Sequence, residues 1–274
     1  VPDSPMPGHL TNILVYAFIC LLVYRLINRF LPDINQSWLF VLGLLFVVHP
    51  LHTEVVANIK SLDELSALLF ALLLLDITTA KSKLETSDCV LAGLLFLAAL
   101  LSKESSISWL VAAPLLIWAK RKTWSTDLSV LSAILFVVGA VWIGWHMQII
   151  NSMPNPVDAD LFSDMTNSTL KATNVLDKKA TGVWITTLYL IKMFFPYPLV
   201  SDYSPDGIPV IPIASIKAII GIVLLTGLVI FGLRLTLKKS ILGVAILTWF
   251  ILIAPVSNIF MPIGVNLAER LAFT

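Results

Sequence analysis

Residues 38–54 read WLFVLGLLFVVHPLHTE, an apolar run that stops at two histidines and a glutamate. Pro50 cannot continue a helix interior, because it has no N–H to donate and its ring clashes with the preceding turn. His49, His52 and Glu54 then follow within one turn's length of chain. Clustered ionisable residues are costly beside a membrane and usually have a function. The stretch therefore predicts a membrane helix that ends in a functional site.

The composition of the chain supports a membrane protein. Hydrophobic residues make up 58% of the 274 residues and charged residues 13%, with a mean hydropathy of +0.91. Soluble domains carry about 25% charged residues. We therefore predict an all-α, polytopic integral membrane protein with a single domain over residues 1–274. The net charge of +1 gives no indication of nucleic-acid binding. Cys20 and Cys89 lie in apolar stretches, which favours neither a disulfide nor a metal ligand.

Apolar runs divide the chain into about eight predicted membrane spans. They cover residues 10–31, 38–48, 65–80, 89–101, 109–119, 128–147, 213–233 and 241–254. The stretch 61–64, Ser-Leu-Asp-Glu, has the pattern of a capping box that begins the third span, and 266–269 resembles another cap. The polar segment 150–181 precedes an apolar stretch at 182–195. That stretch, at about 1.5 Å per residue, is marginal for a bilayer core of about 30 Å.

Basic residues close several of the predicted spans and orient them. These residues are Arg25, Arg29, Lys81, Lys83, Lys120, Arg121, Lys122, Arg234, Lys238 and Lys239. The positive-inside rule places them in the cytoplasm. Four polar clusters, 49–54, 102–105, 201–204 and 269–270, then fall together on the outer face. The parity of the spans requires that 182–195 does not cross, so we predict a surface-lying or re-entrant helix there.

The polar clusters supply the candidate substrate-binding residues. They are His49, His52, Glu54, Lys103, Glu104, Asp202, Tyr203, Glu269 and Arg270. A helix N-terminus attracts anions, and an arginine beside one suits a phosphate. Carboxylates in the same clusters suit acid–base work or contacts to sugar hydroxyls. Two histidines and one glutamate in a kinked turn lack the spacing of a zinc site, so no metal is expected.

Each cluster also has a structural interpretation, which the sequence alone leaves open. His49 and His52 fit interfacial residues, and Lys103 with Glu104 fits a pair of side chains that reach the membrane interface. Asp202 fits a turn residue, and Glu269 fits a helix cap. The aromatic residues between 184 and 203 fit either a prenyl- or sugar-binding surface or an interfacial aromatic belt.

Four segments carry a resemblance to a known family. They are HPLHTEVVAN at 49–58, LSKESSI at 101–107, PLVSDYS at 198–204 and PIGVNLAER at 262–270. They resemble the transmembrane and tetratricopeptide-repeat-containing O-mannosyltransferases and their bacterial relatives, which are GT-C membrane glycosyltransferases. The similarity runs along nearly the whole chain, and GHLTN at 8–12 extends it. It implies transfer of mannose, or a related sugar, from a polyprenyl- or dolichyl-phosphate donor to Ser or Thr hydroxyls of an acceptor protein. The site would lie on the lumenal or periplasmic face of an endoplasmic reticulum or bacterial inner membrane.

The resemblance also implies roles for several residues. An inverting displacement needs no cofactor, since Arg270 and Lys103 would stabilise the departing lipid phosphate. His52 and Glu54 would orient the sugar or the acceptor. The family's first span and the acidic loop that holds the base are expected upstream of Val1, and its last spans and repeats downstream of Thr274. A chain truncated in this way is expected to be inactive alone.

Two other classes of protein compete with the transferase. A transporter or flippase for a lipid-linked sugar favours mid-span ionisable residues, broken helices and repeated halves. Here the polar residues lie at span ends, and no internal repeat is evident. A scaffold that only assembles partners has no need of four polar clusters on one face. The transferase is therefore the preferred prediction.

Overall fold

The structure is a computed structural model that describes residues 5–152, 167–200, 203 and 207–273. These residues form eleven helices and no strand. The helices are α1 Met6–Phe30, α2 Gln36–Val47, α3 Thr53–Ala57, α4 Leu62–Ala80, α5 Thr86–Ser102, α6 Trp109–Arg121, α7 Thr126–Ser152, α8 Ser168–Lys171, α9 Val175–Phe194, α10 Ile216–Leu237 and α11 Ile241–Ile253. Single 3₁₀ turns occupy Pro50–His52, Ile59–Ser61, Glu104–Ser108, Ala254–Val256 and Glu269–Ala272. The predicted all-α bundle is confirmed.

The larger hydrophobic core lies among α1, α4, α5, α6 and α7. Its fully buried side chains include Ile19, Leu65, Phe96, Ile117 and Leu131. In this core α1 packs on α4, α4 on α5, and α5 on α7, while α6 joins it to α11. A second, smaller core forms where Ile185 and Tyr189 of α9 meet the end of α11 and residues 263–271.

Fewer helices are long enough to cross a membrane than the sequence predicted. Among the described residues, α1, α7 and α10 pass by length and composition. α2 and the bent segment Pro50–Ala57 together would make a fourth crossing. α2, α5, α6 and α11 have only 12, 17, 13 and 13 residues. They therefore cover about 18–26 Å of a core of about 30 Å.

The predicted basic ends of the spans meet at one end of the bundle, which we call the basic end. Three side-chain contacts to backbone carbonyls join them: Lys120 to Arg29 (2.5 Å), Arg121 to Lys81 (3.1 Å) and Lys122 to Lys239 (2.6 Å). Arg25 and Arg29 also bind the buried carboxylate of Asp76 at 3.0 and 2.8 Å. The pattern of basic residues thus located one end of the molecule, although it gave no sign that Asp76 would bind Arg25 and Arg29.

Helix α9 begins at Val175, earlier than the predicted 182, and its contacts run along the opposite end of the bundle. Gly182 lies against the backbone of Asn258, and Tyr189 donates a hydrogen bond to the carbonyl of Ala268 at 3.4 Å. Both partners belong to the segment that follows α11. With 20 residues, α9 is about 30 Å long, so the marginal length predicted for 182–195 is wrong. It is not among the described helices that pass as membrane spans. Its position relative to a membrane stays a prediction.

Ser61 is the residue that precedes α4, as predicted, but neither predicted cap makes its side-chain hydrogen bond. Ser61 makes no side-chain cap hydrogen bond at the start of α4, and Glu64 turns to an ion pair with Lys103 instead. Glu269 begins a 3₁₀ turn after Ala268, again with no side-chain cap. In both cases the glutamate side chain binds a residue that is distant in sequence and does not cap a helix.

Candidate functional site

Glu269 and Arg270 lie at the centre of the polar end of the bundle, which we call the site end. Arg270 binds Glu54 twice: its backbone N–H donates to Oε2 at 3.0 Å, and its Nη1 donates to Oε1 at 2.6 Å. The turn after Pro50 and the short helix α3 bring Glu54 to this position. Glu54 therefore fixes the arginine, and Nη2 keeps no partner among the described residues.

Glu269 points to the other side, towards the end of α9. It accepts hydrogen bonds from the backbone N–H of Val200 at 3.1 Å and from the Tyr203 hydroxyl at 2.5 Å. The Nζ of Lys192 lies 3.9 Å away and also donates to the carbonyl of Pro198. Burial lowers the pKa of Lys192 below its usual range, against the opposing pull of Glu269. Burial and the hydrogen bond to Glu269 raise the pKa of Tyr203. The predicted residue Asp202 lies outside the described residues.

Lys103 lies between two neighbouring carboxylates at the start of α4. Its Nζ is 2.8 Å from Asp63 and 3.0 Å from Glu64, whose side chain is only 1% exposed. Burial opposes the charge on Lys103, but its hydrogen bond to Asp63 and the charge of Glu64 outweigh that effect and raise its pKa. Sequence reasoning assigned Glu64 to a helix cap and so missed both acidic partners. Glu104 is exposed and has no ion pair or hydrogen bond within the described chain.

The two predicted histidines occupy different environments. His49 Nδ1 accepts the backbone N–H of Leu51 at 3.4 Å, and Nε2 faces the carbonyl of Met193 at 3.1 Å. His49 therefore ties the Pro50 turn to the end of α9. His52 instead contacts the Tyr16 hydroxyl through Nδ1 at 2.8 Å and packs against Phe273.

A cavity of about 690 Å³ opens at the site end, and Lys103 and Arg270 both line it. The remaining lining residues include Glu104, Ser105, Trp142, Ile143, His146, Met147, Pro262, Val265 and Leu271. Ser105 is 6% exposed, and its Oγ has no hydrogen-bond partner among the described residues. The rings of Trp142 and His146 stack at 4.7 Å. His146 was missed, although a lone ionisable residue in an apolar helix is itself a signal.

The second cavity, of about 570 Å³, lies among α1, α2 and α3. Its lining residues are His9, Ile13, Tyr16, Val47, Val48, His49, His52, Thr53, Val56 and Ala57. No group of three or more His, Cys, Asp or Glu side chains could hold a metal ion in the part of the chain that the structure describes.

A buried amide network fixes the segment that leads to Arg270. The Asn167 amide donates to Asn258 Oδ1 at 2.8 Å, and Asn258 donates to the carbonyl of Asn266 at 3.1 Å. Asn266 accepts the backbone N–H of Ser168 at 2.7 Å. All four residues are almost fully buried. Asn167 begins a glycosylation sequon, but this burial leaves no room for a glycan in the folded chain.

Relatives of the chain identify what it resembles. Protein O-mannosyl-transferase F38B6.6 of Caenorhabditis elegans is 25% identical over 98% of the chain and 37% of its own length. The chain is similar to proteins named protein O-mannosyl-transferases. Mouse protein O-mannosyl-transferase TMTC2 is 28% identical over 76% of the chain and 26% of its own length. Drosophila melanogaster protein O-mannosyl-transferase Tmtc1 is 32% identical over 39% of the chain and 12% of its own length. No family model and no solved structure matches the chain.

These matches confirm the predicted resemblance to the O-mannosyltransferase family. The chain spans about a third or less of the length of these relatives. The activity of such whole proteins therefore comes to this chain only as a proposal.

Proposed function

We propose that this chain forms the donor-binding part of a membrane glycosyltransferase. The enzyme would transfer mannose, or a related sugar, from a polyprenyl- or dolichyl-phosphate to Ser or Thr hydroxyls of proteins. The observation that carries the proposal is the first cavity, where Lys103 and Arg270 face an otherwise largely apolar lining. Cations complement a phosphate, and an apolar wall complements a prenyl chain. The names of the relatives support the same reaction class.

The contacts of Arg270 suit a group that stabilises a departing phosphate. As the sugar–phosphate bond breaks, negative charge grows on the phosphate, and fixed donors aimed at that charge lower the barrier. Glu54 holds Nη1 and the backbone N–H, so that the guanidinium is oriented before the substrate arrives. Nη2 remains available for a phosphate oxygen. We expect the base that takes the acceptor proton in the acidic loop that the family carries upstream of Val1.

We place this site on the lumenal or periplasmic face of the membrane. The support is the separation of the basic end from the site end, together with the preference of basic residues for the cytoplasm. An endoplasmic reticulum membrane fits the animal relatives. A flippase for the same lipid is the alternative, and it favours ionisable groups at mid-span. The ion pairs described here lie at the two ends of the helices, which favours the transferase.

Substitution of Arg270 tests the proposal. In the complete protein, Arg270→Ala should lower transfer of radiolabelled mannose from polyprenyl-phosphate mannose by roughly two to three decades, or about 3–4 kcal/mol. Arg270→Lys should restore only part of the rate, because lysine keeps the charge but loses the planar fork. Arg234→Ala removes an exposed arginine of α10 and is the matched control. Transfer at the unmodified rate by Arg270→Ala would refute the assignment of the phosphate to this residue.

A further inference from the structure

A polar cavity lies at the basic end, where α4 and α6 end and α7 begins, and we call it the basic cavity. Its volume is about 460 Å³, and its lining residues are Thr79, Ala80, Lys81, Ser82, Lys120, Arg121, Thr123 and Ser125. The lining contains three cations, four hydroxyl-bearing side chains and no acid. Ammonium, guanidinium and hydroxyl groups all donate hydrogen bonds, and phosphate oxygens accept them. The composition of the lining therefore complements a phosphate.

The fold neutralises only part of the positive charge around this cavity. Lys81 pairs with Asp88 at 2.8 Å. Lys120 has no ion pair in the described chain, and its Nζ donates to the carbonyl of Arg29 at 2.5 Å, which leaves it two further N–H groups. Other charged residues of the same end also lack an ion pair among the described residues: Lys83, Lys122, Lys238 and Lys239, against the acids Asp33 and Glu85. Positive charge is therefore in excess around the basic cavity.

Arg121 has a buried donor that the fold leaves unused. Its side chain is only 8% exposed, and its two terminal nitrogens bind Asp127 and the carbonyls of Thr78 and Lys81. Its Nε, by contrast, has no hydrogen-bond partner within the part of the chain that the structure describes. Buried donors almost always have a partner, because leaving one unsatisfied is costly, most of all on a charged group. Since Arg121 lines the basic cavity, an anion bound there would supply one.

The position of the basic cavity favours a membrane lipid as the source of the phosphate. Its residues come from the ends of two apolar helices and from the turn before α7, which is long enough to cross a membrane. In that turn Trp124 is 56% exposed, and tryptophan is enriched at the level of the lipid headgroups. Clustered lysine and arginine residues beside a membrane helix attract anionic headgroups. A soluble phosphate compound would not need this location.

We propose that the basic cavity binds the phosphate of an anionic membrane lipid, with Lys120 and Arg121 as its main donors. The two free N–H groups of Lys120 and the Nε–H of Arg121 donate to the phosphate oxygens. Arg121 already joins the end of α6 to the end of α4 through the carbonyls of Thr78 and Lys81, so the lipid binds where helices of the larger core meet. This site lies at the opposite end of the bundle from the proposed transfer site, and the inference does not depend on the transfer reaction.

Retention of a radiolabelled lipid tests the site. The complete protein is immobilised in detergent and incubated with tritiated phosphatidylglycerol, and the competitors are unlabelled phosphatidylglycerol, phosphatidylcholine with the same acyl chains, and inorganic phosphate. We expect phosphatidylglycerol to compete roughly tenfold better than phosphatidylcholine, the usual size of one hydrogen bond to a charged group. Phosphatidylcholine carries the same phosphate, but its choline cation cancels the charge. Inorganic phosphate should compete far more weakly than either form of phosphatidylglycerol.

Variants of Lys120 separate a specific site from general attraction by positive charge. Lys120→Gln should weaken retention of phosphatidylglycerol roughly tenfold, and Lys120→Arg, which keeps the charge, should stay near the unmodified value. Lys238→Gln removes the same charge from an exposed position outside the cavity and is the matched control. Arg121→Lys keeps a cation beside Asp127 but has no Nε–H, and it should weaken retention severalfold. Recovery in Lys120→Arg guards against misfolding as the cause of a loss.

Three results would overturn the inference. Equal competition by phosphatidylglycerol and phosphatidylcholine would mean that the cavity does not select an anionic lipid. An equal loss of retention in Lys120→Gln and Lys238→Gln would mean that the lipid responds to charge alone and not to this cavity. Displacement by inorganic phosphate as effective as that by unlabelled phosphatidylglycerol would identify a free anion as the ligand. Mannose transfer is not measured, so failure here leaves the proposed function untouched.

Discussion

At the scale of single residues, several charges of the site end lie against opposite charges. Glu64 is fully buried, and its carboxylate depends on Lys103 for a counter-charge. An ionised carboxylate without such a partner is among the most costly groups that a protein interior can hold. Asp63, by contrast, keeps a side chain that is 40% exposed and so has water as an alternative. Lys103 therefore stabilises the fold mainly through Glu64.

Lys103→Met should destabilise the protein by about 3–5 kcal/mol, because Glu64 is then left buried without a cation. The double variant Lys103→Met with Glu64→Leu should recover much of that loss. Thermal unfolding of the detergent-solubilised protein measures both. Lys81→Met, which breaks an exposed pair with Asp88, is the control and should change little. If the double variant were as unstable as the single one, the buried charge would not be the cause.

At the scale of elements, α9 depends on one close approach. A Cβ added to Gly182 would lie 2.6 Å from the backbone oxygen of Asn258, which belongs to the buried amide network. Backbone at this point cannot move without disturbing the segment that carries Glu269 and Arg270. The position of α9 and the geometry of the site are therefore linked.

Gly182→Ala should cost roughly 1–3 kcal/mol, the usual range for overpacking. Gly227→Ala in α10 meets no atom within 4 Å and should be neutral or slightly stabilising, since alanine favours helix. Unfolding midpoints of the two variants provide the comparison. Equal unfolding midpoints would mean that the backbone of Asn258 can move away from residue 182 without loss of stability.

At the scale of the whole molecule, two groups of polar residues occupy opposite ends of one bundle. The basic end joins residues near 29, 81, 121 and 239 through carbonyl contacts. The site end joins residues near 54, 103, 192 and 270 through ion pairs and shared cavities. Since the same helices run between the two ends, the ends should face opposite sides of a membrane.

Single-cysteine labelling with an impermeant reagent, in a background without Cys20 and Cys89, tests this orientation. Cysteines at exposed positions of the site end should react from outside: Thr53, Glu104, Thr173 and Tyr197. Those at Lys83 and Lys238 should react only after permeabilisation. Thr173 and Tyr197 flank α9, so reaction of one without the other would show that α9 crosses. Outside labelling at Lys238 would contradict the orientation itself.

The sequence by itself determined the class of protein, the location of the basic end and most of the residues at the site end. Hydropathy and charge are properties of a local stretch. They favour a membrane span and its orientation whatever packs against the helix. The four polar segments that resemble the family are also short stretches of sequence, which can be read without knowing the fold. The comparison with relatives confirmed the resemblance that they carry.

Only the tertiary structure decided which partner each polar side chain takes. Glu54 and Arg270 are 216 residues apart, and no local pattern predicts their pairing. Glu64 has the spacing of a helix cap, yet its buried carboxylate lies 3.0 Å from the Nζ of Lys103 instead. The contact of His52 with the Tyr16 hydroxyl likewise depends on where α1 lies. Partners of this kind are set by helix packing, because desolvation penalises a buried polar group that finds no partner.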